Sequence, residues 1–404
     1  MTPAADPTTA AEVSRHIPAL DGVRALAILL VVPHNANMLT LPIPAVDYPA
    51  ALLMNAGWVG VQLFFVLSGF LITGNLLDTR HSNNYFRAFF GRRALRILPL
   101  YYTVLLLAFV VGPALGLGSA EFRATAPRQI WLWTFLSNWT QPFGGGVDGF
   151  SHFWSLAVEE QFYLLWPFIV VRCRPITLLW VCAGSIGLAL LTRLALLLAH
   201  LPHETLYMFT ICRMDALTAG AAAAALLRIP TASARAQRLT PGIAIVAAVT
   251  LIATLVGTHG LAIFGNRTQT VGYTLLSLGF ALVILLTALP TTGVIASTMR
   301  LLSTTPLRLL GRYSYGMYIF HLPLHVFLGM ALIHHFAPHP TPMQAIVYAI
   351  ALTAVTFLLA AASYELFEKR FLKLKRKLMP TWSPEGRPSG PPAPASARSA
   401  DSAT

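Results

Sequence analysis

The chain has 404 residues, 56% of them hydrophobic and only 11% charged, against about 25% charged in an ordinary soluble domain, so a water-soluble globule is excluded and a multi-spanning membrane protein is expected. The formal charge of +13 would suggest nucleic acid in a soluble chain. Beside membrane spans it has a simpler origin in the gathering of Lys and Arg on cytoplasmic connections, and a nucleic-acid partner is set aside.

In chain order, residues 1–16 are rich in Ala, Thr and Pro and lack a basic n-region and a clear small-residue cleavage site, so they read as a retained, disordered, cytoplasmic amino terminus. Apolar windows of roughly twenty residues, the length a helix needs to cross a bilayer, follow at 20–40, 56–77, 97–117, 152–171, 176–198, 205–227, 241–259, 270–290, 313–333 and 342–367. They predict an all-α bundle of about ten transmembrane helices. Most of the 28 lysines and arginines fall on one alternate set of connections, and only Arg123, Arg128 and Arg267 fall on the other, which puts both termini in the cytoplasm. Beyond a basic stretch starting at residue 373, the Pro- and Ser-rich end PTWSPEGRPSGPPAPASARSADSAT predicts a disordered cytoplasmic tail. The domain itself is read as 17–372. No repeat period, matched pair of interrupted spans or appended soluble domain is visible.

The first window, LDGVRALAILLVVPHNAN, sets Arg24 and His34 in an apolar run. Such an arginine costs about 3 kcal/mol on insertion scales and normally faces a bundle interior or an aqueous cavity. Ten residues at 1.5 Å place the pair about 15 Å apart along the axis, one near a membrane face and one near its middle. The second window carries Gly57, Gly60, Ser68 and Gly69, small residues whose plainest use is close helix packing. In YFRAFFGRRALRILPLYY, Arg92 and Arg96 are i,i+4 neighbours and Arg93 lies between them. Forked guanidiniums at that spacing suit a phosphate, or equally a lipid headgroup and a topology signal.

The connection from Gly118 to Ser151 carries Trp131, Trp133, Trp139 and QPFGGGVDGF, which fits an interfacial or re-entrant segment with a mobile loop, or a plain surface loop. The fourth window opens SHFWSLAVEEQFYLLWPF, with His152, Ser155, Glu159, Glu160 and Gln161. Adjacent carboxylates point about 100° apart on a helix, so at least one of Glu159 and Glu160 should face a cavity, unless either merely tethers helices through Arg24 or Arg213. In ICRMDALTAG, Arg213 and Asp215 are too close in sequence to face each other, and each needs a partner on another helix. RYSYGMYIFHLPLH holds Ser314, Tyr318, His321 and His325. The histidine spacing resembles a zinc pair, but a proline rather than an acid lies between them, so no metal site is expected. Nor do His334, His335 and His339 suggest one, reading instead as wetted interface. The three cysteines, Cys173, Cys182 and Cys212, form neither a disulfide framework nor a thiolate metal motif.

Taken together and in order, LDGVRA with a downstream histidine, GVQLFFVLSGFLI, RRALRILPLYY, HFWSLAVEEQFYLLWP, RMDAL and SYGMYIFHLPL resemble acyltransferase family 3, over about residues 17–372. The resemblance implies a bundle in the bacterial cytoplasmic (inner) membrane that takes an acyl group, usually acetyl, from cytoplasmic acyl-CoA. The group goes to a hydroxyl at the outer face, on a carbohydrate or glycolipid such as lipopolysaccharide or exopolysaccharide, or on a macrolide. It implies membrane lipids as surroundings and functional positions at Arg24, the late histidine of the first span, Arg92, Arg93, Arg96 and Glu160. The arginines would hold the CoA phosphates, His34 would act as general base or transient acyl carrier, and Glu160, seconded by Glu159, would orient it. Asn35, Ser68, Ser155, Arg213, Asp215 and His321 stand behind these. One departure is specific to this chain: the family spacing puts the histidine eleven residues after the arginine, and that position is Asn35, with His34 one residue early behind Pro33. Either a kink at Pro33 restores the direction, or His34 works from another angle, or activity is impaired. A transporter or flippase of a polar solute or glycolipid is the rival reading of the same buried charges.

Overall fold

The computed structural model describes residues 17–36, 54–330, 332–333 and 341–378. Residues 1–16, the tail beyond 378 and His334, His335 and His339 lie outside the described residues, as do the readings made of them. Among the described residues all regular structure is helical. The principal helices are α1 (Pro18–Asn35), α2 (Val59–Thr79), α3 (Tyr85–Leu106), α4 (Phe153–Arg172), α5 (Pro175–Leu198), α6 (Thr210–Leu226), α7 (Thr240–Gly257), α8 (Tyr273–Thr287), α9 (Thr305–Leu324) and α10 (Pro342–Ser363).

Seven helical stretches among the described residues are long and apolar enough to cross a membrane: 54–79, 85–114, 175–198, 203–226, 240–257, 268–287 and 343–374. The chain is thus a multi-pass membrane protein. The other three expected spans, α1, α4 and α9, are present as helices of 18, 20 and 20 residues but fall outside the apolar set. Each carries charged or polar side chains, and these three helices together with α2 and α3 build the site described below.

Helix α2 sits at the centre. Of its most apolar stretch 78% is buried, against 17% for the corresponding stretches of α5 and α7, which present apolar side chains outward, as helices facing lipid do. The glycines of α2 explain how it reaches that position. A Cβ on Gly60 would lie 2.4 Å from the Ala27 carbonyl oxygen of α1, and one on Gly69 would lie 1.8 Å from that of Leu217 in α6. From the opposite side, a Cβ on Gly220 would lie 1.8 Å from the Val66 oxygen. Packing without side chains at these points lets the backbones touch on both flanks of α2. Helix α1 is clamped in the same way between Gly22, against Leu302, and Gly311, against Asp21. Helix α3, by contrast, approaches α2 and α9 at few points, which leaves a gap.

The connection from Gly118 to Ser151 carries a run of short helices: Ala120–Thr125, Ala126–Gln129, Ile130–Trp133 and Ser137–Thr140. It is pinned to the bundle. Tyr101 and Tyr102 of α3 donate to the carbonyls of Leu132 (2.7 Å) and Trp133 (3.2 Å), and Trp133 stacks on Tyr102 at 5.7 Å. Gln161 of α4 donates to Phe135 O and to Asn138 Oδ1 and accepts from Trp139. The tryptophans serve as structural anchors, and the Gly-rich turn takes its positive φ at Gly144 (82°) and Gly149 (76°).

Candidate active site

Helical spacing assembles a polar cavity of about 100 Å³ in the gap beside α3. Helix α4 presents Ser155, Glu159 and Tyr163, at i, i+4 and i+8, on one face; α3 presents Arg93, Arg96 and Ile97; α2 presents Val61, Phe64, Phe65 and Ser68; α9 presents Ser314, Tyr315 and Tyr318; α1 adds Arg24. Residues three and four apart on a helix are neighbours, so five helices contribute one stripe each.

Ser68 Oγ donates to Glu159 Oε1 at 2.7 Å. The Arg93 guanidinium lies over the Tyr163 ring, 5.0 Å from its centroid, and Arg24 reaches Asp21 at 3.5 Å. Among the described residues neither Glu159 nor Glu160 has a Lys, Arg or His nitrogen within 4.0 Å. Three guanidiniums and a carboxylate thus face the same space without closing on each other. Of the adjacent acids, Glu159 is the one in the cavity; Glu160, turned away along the helix, does not line it. Of the arginines, Arg93 and Arg96 line it together and Arg92 does not, so the pair facing the cavity is i,i+3 rather than the i,i+4 pair read from spacing.

At the Ser155 end a second set of groups follows. The Ser155 and Tyr318 hydroxyls lie within hydrogen-bond reach of each other and both approach the His152 carbonyl, at 3.1 and 2.9 Å, so their two protons are shared among these contacts. The His152 ring packs edge-on against His321 with centroids 4.7 Å apart. Both of its nitrogens are buried without a hydrogen-bond partner; the Tyr318 and Ile319 carbonyls lie nearby but outside hydrogen-bonding geometry. His321 Nδ1 donates to Tyr318 O at 2.7 Å, leaving Nε2 to accept from Asn35 Nδ2 at 2.9 Å. Helix α1 continues through Pro33 as far as Asn35, and the one-residue offset keeps its consequence. Asn35 points to His321, while half-buried His34 turns to the Met54 carbonyl, 2.7 Å from Nδ1. Neither residue lines the cavity that holds Glu159, nor does either contact Glu160. His325 pairs with Tyr348 at 2.8 Å, so His321 and His325 have separate partners.

Arg213 and Asp215 belong elsewhere. Asp215 pairs with Arg193 of α5 at 2.9 Å, both side chains fully buried, and Thr274 of α8 donates to the same carboxylate at 3.0 Å. Arg213 donates to Gln62 and is enclosed by Phe65, Trp154, Tyr207 and Tyr273, with Tyr273 nearest at 4.5 Å from ring centroid to guanidinium carbon. It is no tether for Glu159 or Glu160. The residues that spacing did not single out are Tyr163, Gln62 and Tyr315. Tyr163 had a signal, its position four residues after Glu159; the other two depend on which helices meet.

The family profile for the acyltransferase domain of acyltransferase family 3 matches residues 17–365. The O-acetyltransferase OatA of Staphylococcus aureus (strain NCTC 8325 / PS 47) is 27% identical over 387 residues, covering 88% of this chain and 57% of the relative. The peptidoglycan O-acetyltransferase OatA of Listeria monocytogenes is 27% identical over 374 residues, covering 88% and 55%. The chain spans a little over half the length of these relatives. No solved structure matches it. With a family profile matched over nearly its whole described length, the chain belongs to acyltransferase family 3.

Proposed function

We propose that the chain is a membrane O-acyltransferase that moves an acetyl group from cytoplasmic acetyl-CoA to a glycan hydroxyl at the outer face of a bacterial cytoplasmic membrane. The observation that carries this reading is the convergence of Arg24, Arg93 and Arg96 on one cavity in which, among the described residues, no carboxylate oxygen lies within 4.0 Å of Arg93 or Arg96. Unpaired buried cations are costly, and an anionic guest resolves the cost. Phosphates of CoA are such guests, and the guanidinium fork suits them. The names of the relatives favour peptidoglycan over lipopolysaccharide or a macrolide as the acceptor class.

His34 meets the acceptor outside the arginine cavity: a backbone carbonyl holding Nδ1–H leaves Nε2 free to accept from an acceptor hydroxyl. Arg92 lies at the cytoplasmic mouth and adds to the field that draws CoA in. The test is reconstitution in proteoliposomes with labelled acetyl-CoA on the side of Arg93 and soluble peptidoglycan fragments on the other. Ester-linked label on the glycan is expected. Passage of a glycolipid or solute across the bilayer without a covalent product would favour a transporter and overturn the reading.

A further inference from the structure

The cavity contains more than a binding site for phosphates, because one of its hydroxyls is placed against a carboxylate. The other serines that line it are spent on backbone: Ser155 donates to His152 O and Ser314 to Gly311 O. Ser68 instead donates to Glu159 Oε1 at 2.7 Å, while its Oγ remains on the cavity wall. Its backbone is held rigidly, since the next residue, Gly69, rests directly on the Leu217 carbonyl of α6. A hydroxyl with a base in hydrogen-bond reach, a fixed backbone and guanidiniums across a small cavity is the arrangement an activated nucleophile requires.

We infer that Ser68 is the acyl-accepting nucleophile of a two-step transfer, an inference that rests on the acyltransferase reading and specifies its chemistry. Ser68 Oγ attacks the thioester carbonyl carbon and its proton passes to Glu159. The C–S bond breaks, and CoA leaves beside Arg93 and Arg96 as a thiol, its sulfur taking the proton from Glu159. An acceptor hydroxyl then attacks the Ser68 ester and gives its proton to the freed Glu159 carboxylate, which passes it to the departing Ser68 oxygen. Thiolate is the better leaving group of the two, so the first step runs forward without a metal or redox partner.

The experiment withholds the acceptor. Purified wild-type chain in proteoliposomes, mixed with radiolabelled acetyl-CoA, is expected to release up to one CoA per chain and to keep acetyl on the peptide containing Ser68, removable by alkaline hydroxylamine. Ser68→Ala should hold no label and lose acceptor transfer by about a thousandfold or more. Ser68→Cys should hold the label as a thioester, removed by neutral hydroxylamine, a signature that a merely structural serine would not produce. Transfer by Ser68→Ala at the wild-type rate, acetyl mapped to another residue, or a transferring wild type that never holds acetyl would each overturn the nucleophile while leaving the acyltransferase standing. A wild type inert toward acetyl-CoA with and without acceptor would sink both.

Discussion

Two sets of arginines lie inside this bundle, one fully buried and one half-buried, and their surroundings differ. Arg193 is paired: it meets Asp215 at 2.9 Å, Thr274 at 2.6 Å and the Cys212 carbonyl, with its Nε left without a partner. Arg213 beside it is wrapped in four aromatic rings, which attract a cation through their faces and exclude water. There one carboxylate serves the pair and aromatic rings fill the space around Arg213. Around Arg24, Arg93 and Arg96 a cavity remains: Arg24 reaches Asp21, while among the described residues no carboxylate oxygen lies within 4.0 Å of Arg93 or Arg96. Ionisable residues inside a membrane protein suggest function by default, but the two sets show that the suggestion must be divided: a closed network joins α5, α6 and α8, and an open one lines the cavity.

The comparison breaks most sharply at its two acids. Glu159→Gln keeps the shape and the acceptor for Ser68 but loses the base, so acetyl transfer should fall by about 10²–10⁴-fold, with little change in thermal unfolding in detergent. Asp215→Ala leaves Arg193 as an uncompensated buried charge and should cost about 3–5 kcal/mol of stability. That loss is read as a lowered unfolding temperature, with the KM for acetyl-CoA unchanged in the protein that remains folded. Were Asp215→Ala to abolish transfer without affecting stability, the closed network would not be structural. A smaller effect separates the arginines. Arg93→Ala and Arg96→Ala each remove charge-assisted bonds worth about 1.5–3 kcal/mol, so KM for acetyl-CoA should rise roughly ten- to hundredfold with kcat changed far less. Arg92→Ala, outside the cavity, should shift KM only a few-fold and mainly at low salt.

What was legible beforehand follows from how far each signal reaches along the chain. Helix positions are local, and every expected window holds a helix. The small residues of α2 were read as packing groups, and Gly57, Gly60 and Gly69 all have backbone or side-chain atoms where a Cβ would go. Ser68, between two packing faces, instead reaches the cavity. The three helices of the site fell outside the apolar set because their charged and polar side chains lower the hydropathy by which spans are recognised. Partners were not legible. Nothing in RMD points to Arg193 on the preceding helix, and nothing in the Gly118–Ser151 connection announces that Gln161 and two tyrosines of α3 pin it. Spacing likewise offered the pair 92/96, and the placement of α3 puts Arg93 and Arg96 on the cavity instead.

The smallest expected effect lies at the far end of the open network, where this chain departs from its family. Asn35 occupies the position at which the family spacing puts histidine, and its amide holds His321 Nε2 at 2.9 Å. His34, one residue earlier, is directed instead by the Met54 carbonyl. If His34 is the group that meets the acceptor, Asn35 only positions a neighbouring ring: Asn35→Ala should cost one hydrogen bond, about 1 kcal/mol or fivefold in rate, and Asn35→His, which can still offer a ring N–H to His321, should stay within that range. His34→Ala should then lose about 10²-fold or more. The reverse pattern, a neutral His34→Ala beside a many-fold gain in Asn35→His, would mean that chemistry is done on the face of α1 that looks toward His321. The unpartnered ring of His152, 4.7 Å from His321, would then become the next group to replace.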